Sequence, residues 1–580
     1  MPWRMFKPLA ATALLALLAA CATPAPAPPT VAAANATPAP DADASAYGLF
    51  LAGTAARDEG HLGAAATYYG RAATAEGDPG YLKTDAFHAA LESGDVAGAL
   101  AVAPQAGGDA APADLRLAAL TRGVAAMVAG DDRGAYAIFT GADIGFPYRS
   151  VALLIAPYAA LGAGDTAHAL ARPALAGDAV GQFVGDLDLA LLQERLGHAQ
   201  DAEAGYKTLM AQGDAAGVVS ESYAAFLERR GRWKDAVALL TDAAARDPDD
   251  PDMAAALSRA QKHARPPSLG TPRQGAAEAL IIPAAGLVAQ KQGDSALDVL
   301  RLALALDPGN DEAWLLVGDV LAPADVDAAR TAYAHVAASS PNYVGAQTKL
   351  AWTYETSGDH AAALKIARLL AASNPDSHEA GVALADLLRD DSQYSESATV
   401  LTGLIGTGGP ATDWRLYFIR ASDFDDSDQP DKVQADLTAA LKLAPDEPEL
   451  LNFQAYFWID RGENLKEALA MVQRAADAEP DSGAITDSLG WAYYKLGDYK
   501  TAVEKLSQAV LLAPSIPEVN DHLGDAYWRV GRKTEATFEW RRALSLGPDD
   551  KLKARDEEKL ASPLGPDAPA GSPVAPTATP

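Results

Sequence analysis

The chain has 580 residues, 49% of them hydrophobic, and 77 acidic against 47 basic side chains give it a formal net charge of −30. That acidity excludes nucleic acid as a partner, because phosphates demand a basic footprint. It also keeps the folded body off anionic lipid and suits basic protein partners.

At the N-terminus, Arg4 and Lys7 precede an apolar stretch from Leu9 to Ala20, the pattern of a secretory signal peptide over residues 1–20. It ends in Leu18-Ala19-Ala20-Cys21, which resembles the lipobox of bacterial lipoproteins. The resemblance implies cleavage before Cys21, a thioether-linked lipid on its sulfur and acylation of the new N-terminus. Cys21 is the chain's single cysteine, and no later run of 18 apolar residues offers a transmembrane helix. Membrane contact is therefore expected through lipidated Cys21 alone. Ala22, where Asp would favour inner-membrane retention in well-studied lipoproteins, points by the same resemblance to an outer-membrane lipoprotein facing the periplasm. Residues 21–45, rich in Ala and Pro, read as the lipidated cysteine and an extended tether.

Beyond the tether, Gly60, Gly94, Gly130, Gly164, Gly197 and Gly231 recur at intervals of 33 to 36 residues. Five residues after each stands a small side chain: Ala65, Ala99, Ala135, Ala169, Ala202 and Ala236. Three of these glycines are followed by Asp, a helix-to-helix turn with an N-cap for the second helix. This spacing predicts about six degenerate helical repeats over 46–248. Residues 249–276, with Arg265-Pro266-Pro267 and Gly270-Thr271-Pro272, read as a linker holding one short helix at Met253–His263. Pro308, Pro341, Pro375, Pro410, Pro445, Pro480, Pro514 and Pro548 then keep a beat of 33 to 35 residues, predicting about eight repeats over 277–548. Residues 549–560 read as a charged capping helix, and 561–580, rich in Pro and Ala, as a disordered tail.

The last two units show the contents of a repeat. Gly490, Tyr493, Gly497, Ala502, Ala509 and Pro514 recur one period later as Gly524, Tyr527, Gly531, Ala536, Ala543 and Pro548. Asp487–Leu496 and Tyr499–Leu512 carry helical periodicity, broken by Gly497-Asp498 and stopped ahead of Pro514. This pattern resembles the tetratricopeptide repeat, which implies an all-α fold: an α-solenoid of helix–turn–helix units in a right-handed superhelix, here in two blocks. The resemblance further implies that the first helix of each pair lines a concave groove. Carried onto the last three units, the groove positions are Phe453, Phe457 and Asp460; Asp487, Trp491 and Tyr494; and Asp521, Asp525 and Trp528. Aromatic rings interleaved with carboxylates suit an extended peptide bearing basic and apolar side chains.

Residues 449–548 also resemble the C-terminal region of proteobacterial repeat-containing lipoproteins. The resemblance runs through Leu451-Asn452, Asp460-Arg461-Gly462-Glu463-Asn464-Leu465, Asp487-Ser488-Leu489-Gly490-Trp491 and His522-Leu523-Gly524-Asp525. Members of that group include adaptors that bring cell-wall hydrolases to a periplasmic carboxyl-terminal processing protease. The implied function is a non-catalytic, lipid-anchored scaffold for periplasmic proteins or peptides. The alternative is a structural subunit of a secretion, polysaccharide-export or envelope-assembly machine.

Catalytic motifs are missing: there is no His-Glu-x-x-His, Gly-x-Ser-x-Gly, phosphate-binding Gly-x-x-x-x-Gly-Lys or Cys-x-x-Cys. The nine histidines are dispersed along the chain. Gly406-Thr407-Gly408-Gly409 runs into Pro410 and reads as an inter-repeat loop. Asp423, Asp425, Asp426, Asp428 and Asp431 hint at a calcium loop, but Asp428 occupies its glycine position and Gln434 its bidentate Glu position, so a solvated turn is expected. No enzyme activity, cofactor or metal is expected.

Overall fold

The computed structural model describes residues 44–77, 80–105, 110–175, 177–212, 216–247, 250–375, 377–406 and 413–561. The signal peptide, Cys21, most of the tether, Pro410 and the tail beyond 561 lie outside the described residues. All regular structure among the described residues is α-helical, and consecutive helices pair as antiparallel hairpins of tetratricopeptide type. The all-α solenoid expected from the 34-residue beat is the observed fold.

The glycine beat has a backbone cause. Gly60, Gly94, Gly130, Gly164, Gly197 and Gly231 adopt φ between +73° and +93°, the left-handed region that costs glycine nothing and other L-residues about 1–2 kcal/mol. One such residue turns the chain from the first helix of a pair into the second. Asp95, Asp131 and Asp165 then cap the second helices, accepting from the backbone N–H of Gly98 (2.8 Å), Gly134 (2.9 Å) and His168 (3.1 Å). Where glycine is absent the turn persists: Lys291, Ser392 and Asp428 hold φ of 60°, 58° and 55°. Asp428 thus serves the turn itself. The expectation of a solvated acidic turn is corrected for Asp423, which lies in the last turn of helix Trp414–Asp426, is fully buried and pairs with Arg389 at 2.9 Å.

Five residues past the turn, Ala65, Ala99, Ala135, Ala169, Ala202, Ala236, Ala502 and Ala536 are all wholly buried. The facing glycine is equally constrained. A Cβ on Gly490 would lie 2.6 Å from Leu506, and one on Gly524 would lie 2.5 Å from Trp540. The two helices of a pair approach as closely as their backbones allow, and small residues are what permit it.

The chain divides into two compact units, one ending at Leu387 and the other beginning at Leu388. In the second unit the pairs Trp414–Asp426/Pro430–Leu443, Pro448–Arg461/Leu465–Ala478, Gly483–Lys495/Tyr499–Leu512 and Pro517–Arg529/Lys533–Ser545 stack in order. Helix Asp550–Ala561 closes the series.

The first unit departs from a simple array. Within the segment read as a linker, residues 250–276 do not free one block of repeats from the next. Its helix Pro251–Gln261 packs on the preceding hairpin. The following coil is held by Arg229 Nη1 to the Pro267 carbonyl (2.8 Å) and Arg195 Nη1 to the Leu269 carbonyl (3.0 Å). Helix Pro272–Glu278 lies on helix Arg149–Gly162, where a Cβ on Gly275 would sit 2.2 Å from the Tyr158 ring. Helix Gly293–Leu306 then packs on Gly80–Ser93 and Pro112–Val128, and Arg301 Nε donates to the Glu92 carbonyl at 2.8 Å. This helix buries Ala296, Leu297, Val299, Leu300, Leu302, Ala303, Leu304 and Leu306. A helix apolar on nearly every side has to be surrounded, and the inner faces of the early repeats surround it.

Two substitutions test this account. Ala502→Leu should cost roughly 1–3 kcal/mol by overpacking, read as a lowered chemical-denaturation midpoint. Ser392→Gly should relieve the left-handed strain and raise stability by up to about 1 kcal/mol, read as a higher midpoint.

Candidate protein-binding surface

The nine predicted groove residues lie along successive first helices, as the repeat register requires, but most are spent on contacts within the array. Phe453 is buried edge-on against Phe418 at 5.5 Å. Phe457 is buried beneath the Arg461 guanidinium at 3.9 Å. Asp487 is buried and meets His522 Nδ1 at 2.9 Å. Trp491 is stacked between Tyr494 (4.4 Å) and His522 (4.0 Å), and the Tyr494 hydroxyl accepts from Arg529 Nε at 3.1 Å. Asp521, fully buried, accepts from Arg555 at 2.6 Å and from Lys559. Asp525 takes Trp540 Nε1 at 2.9 Å and Lys559 at 2.7 Å. Trp528 is half-buried, tilted against Trp540 at 5.6 Å. Asp460 alone of the nine is exposed, and its backbone carbonyl receives Lys495 Nζ at 3.1 Å.

The physical reason is a ladder. Consecutive first helices lie side by side, so a residue meets its counterpart one period on. The separations are 35 residues for Asp487–His522, Tyr494–Arg529 and Asp460–Lys495, and 34 for Asp521–Arg555. The terminal helix supplies the last rung, with the cations that the aspartates were expected to find in a partner. Burial alone would raise the Asp521 carboxyl, but the Lys559 ammonium and Arg555 guanidinium outweigh it and hold Asp521 well below the usual range. Burial wins at Asp525, which stays raised, and at Asp556, which burial and the neighbouring Asp521 push up to about 8.

A different acidic surface lies in the first unit. Glu221, Asp252, Glu278 and Glu312 come from four helices, Ala216–Arg229, Pro251–Gln261, Pro272–Glu278 and Asp311–Leu321. Glu278 and Glu312 are open to solvent and the other two are half-buried. Desolvation by surrounding protein, then the charges of Glu278, Asp252, Glu221 and Asp250, push Glu312 up to about 8. Desolvation and Asp252 push Glu221 up to about 7, with Arg259 opposing. The four carboxylates are close enough that each of Glu221, Glu278 and Glu312 is raised further by the charge of Asp252. The polar fittings of the cluster are neutral: Asn310 Nδ2 donates to Glu278 at 3.2 Å and Asn342 Nδ2 to Asp252 at 3.4 Å. Arg259, the nearby cation, is committed to Glu228 at 3.0 Å. Sequence reasoning missed these four because it applied the groove rule to the last three units. Acidic residues near the starts of earlier first helices, Glu221, Asp252 and Glu312, carried the same signal.

Two stretches match family models, residues 490–531 a TPR repeat and residues 218–260 a tetratricopeptide repeat; the second contains Glu221 and Asp252. No curated protein matches the chain. Among solved structures, the Cut9-Hcn1 hetero-tetramer of APC/C is similar over 88% of this chain and 95% of that one, at 13% identity and a TM-score of 0.37. A tetratricopeptide repeat protein from Parabacteroides merdae is similar over 48% of this chain and 96% of its own, at 13% identity and a TM-score of 0.34. YrrB, described as a TPR protein with an unusual peptide-binding site, is similar over 33% of this chain and 97% of its own, at 13% identity and a TM-score of 0.26.

The ladder makes a definite demand on the terminal helix. Lys559→Met leaves Asp521 and Asp525 buried without their shared cation, at a cost of about 3–5 kcal/mol. Hydrogen exchange should show lost protection over 517–561, whereas Asp460→Asn should leave it unchanged.

Proposed function

We propose that the chain is a non-catalytic scaffold that binds basic segments of partner proteins on this acidic surface of its first unit. One observation carries the reading: four carboxylates from four helices converge while the nearby Arg259 is tied to Glu228. Like charges held together in a desolvated cluster gain from a cation that satisfies several of them at once. The tetratricopeptide character of the fold supports a protein or peptide as ligand. Leu18-Ala19-Ala20-Cys21 supports anchoring through a lipid on Cys21 at the periplasmic face of the outer membrane. The resemblance of 449–548 to repeat lipoproteins suggests a processing protease and its cell-wall hydrolase substrates as partners.

The pH dependence of binding tests the site directly. With Glu221 raised to about 7 and Glu312 to about 8, both are largely protonated at acidic pH and charged above those values. A cationic ligand favours the charged forms, so affinity for an arginine-rich peptide should rise with pH from about 6 to about 9 and fall with added salt. Stability has the opposite sign. A carboxyl raised by folding contributes stability below its unfolded value, and that contribution is lost as pH rises through 7 to 8. Glu278→Gln with Glu312→Gln should weaken the peptide and flatten both profiles in titration calorimetry and thermal melting. Unchanged affinity and pH dependence in the double variant would remove this acidic cluster as the binding surface. For the anchor, Cys21→Ser should abolish labelled-palmitate incorporation and release the protein from the outer-membrane fraction.

A further inference from the structure

Helix Gly80–Ser93 carries His88 and Glu92 four residues apart, hence on one face. Helix Gly293–Leu306, packed against it, brings Asp298 to the same place. One ligand-capable atom from each of the three side chains lies within 4.8 Å of the others. Glu92 and Asp298 are each 3% exposed, while His88 is half-buried. Asp298 Oδ1 is buried with no hydrogen-bond partner. An orphaned carboxylate oxygen inside a core is costly unless something positive reaches it. The Arg57 guanidinium does not: its 2.7 Å bond goes to Glu92 Oε1.

We propose that His88, Glu92 and Asp298 bind a single divalent transition-metal ion of the zinc class, tying the inner helix to the early repeats. The donor set argues for this class. One imidazole and two carboxylates suit zinc and its first-row neighbours, whereas calcium and magnesium prefer oxygen alone. Zinc–ligand distances near 2.1 Å put neighbouring ligands about 3.4 Å apart, so side-chain adjustments of about 1 Å close the present cluster. An outer carboxylate is also in place: Asp114 Oδ1 lies 3.1 Å from His88 Nε2, the kind of partner that orients a ligating imidazole. Arg57 balances one of the two negative charges, and a divalent ion accommodates the other together with Asp114. Because the ligands come from residues 88, 92 and 298, the ion would act as a cross-link between segments about two hundred residues apart in sequence.

The test uses the untagged full-length chain and cobalt(II) as a visible probe. One equivalent of cobalt should produce saturable d–d absorption that zinc displaces, and zinc should raise the melting temperature. His88→Ala and Asp298→Asn should each weaken cobalt binding at least tenfold and remove the zinc-induced shift. Metal-free Asp298→Asn should fold as well as the native chain, since it replaces a buried carboxyl whose Oδ1 has no partner with a neutral group of the same shape; His88→Gln, at the more exposed edge, provides a second folded variant. Absence of saturable uptake at one equivalent, or native uptake in both His88 and Asp298 variants, would overturn the assignment.

Discussion

An antiparallel helix pair must stop one helix and start the next within about three residues, and in most pairs here the backbone does so through a residue of positive φ. That turn sets the distance between partners, and the partners are then so close that Gly490, Gly524 and the alanine five residues past each turn have no room for larger side chains. Once that spacing is fixed, the next pair can lie only alongside, and the side-by-side placement of first helices creates the 34- and 35-residue rungs. Glu194–Arg229 in the first unit and Tyr494–Arg529 in the second are the same rung in different repeats, each pair lying three and two residues ahead of its turn glycines. The ladder makes the array specific in register, because a one-residue slip would separate every pair at once.

The first unit uses its repeats differently from an open solenoid. Its early repeats hold a helix from the same chain, while the region of Glu221, Asp252, Glu278 and Glu312 keeps a cluster of like charge with Glu278 and Glu312 exposed. The apolar helix Gly293–Leu306 accounts for the occupied part, and a surplus of like charge for the open part. Occupancy and openness are thus decided by composition: leucine-rich surface is covered by the chain itself, and acid-rich surface stays open to solvent.

The hairpin architecture was legible because its causes are local. Proline and positive-φ glycine act on their own backbone, and periodic alanine reports close approach without reference to anything distant. The contents of the groove were less legible because they depend on residues far along the chain. Asp521 and Asp525 stand out as a series, but read as a polar lid, residues 549–560 conceal Arg555 and Lys559 as the next rung. Likewise the proline-rich stretch 265–272 suggests separation, whereas arginines 195 and 229 bind its carbonyls and hold it down. The all-round apolarity of 293–306 was the available sign that the early repeats enclose something. His88 and Asp298 had no such sign, since nothing in their own neighbourhoods announces that they meet.

Helix Gly293–Leu306 also bears on the order in which the protein can be made. Repeat arrays ordinarily mature behind the advancing chain, each unit settling on the one before it. Here the Glu92 carbonyl waits for Arg301, 209 residues later. Until that segment arrives, helices Gly80–Ser93 and Pro112–Val128 lack the helix that packs on them. A chain emerging N-terminus first would carry their packing faces uncovered for a third of its length, a period in which a holding chaperone, or slow folding set by long-range closure, becomes part of its biogenesis.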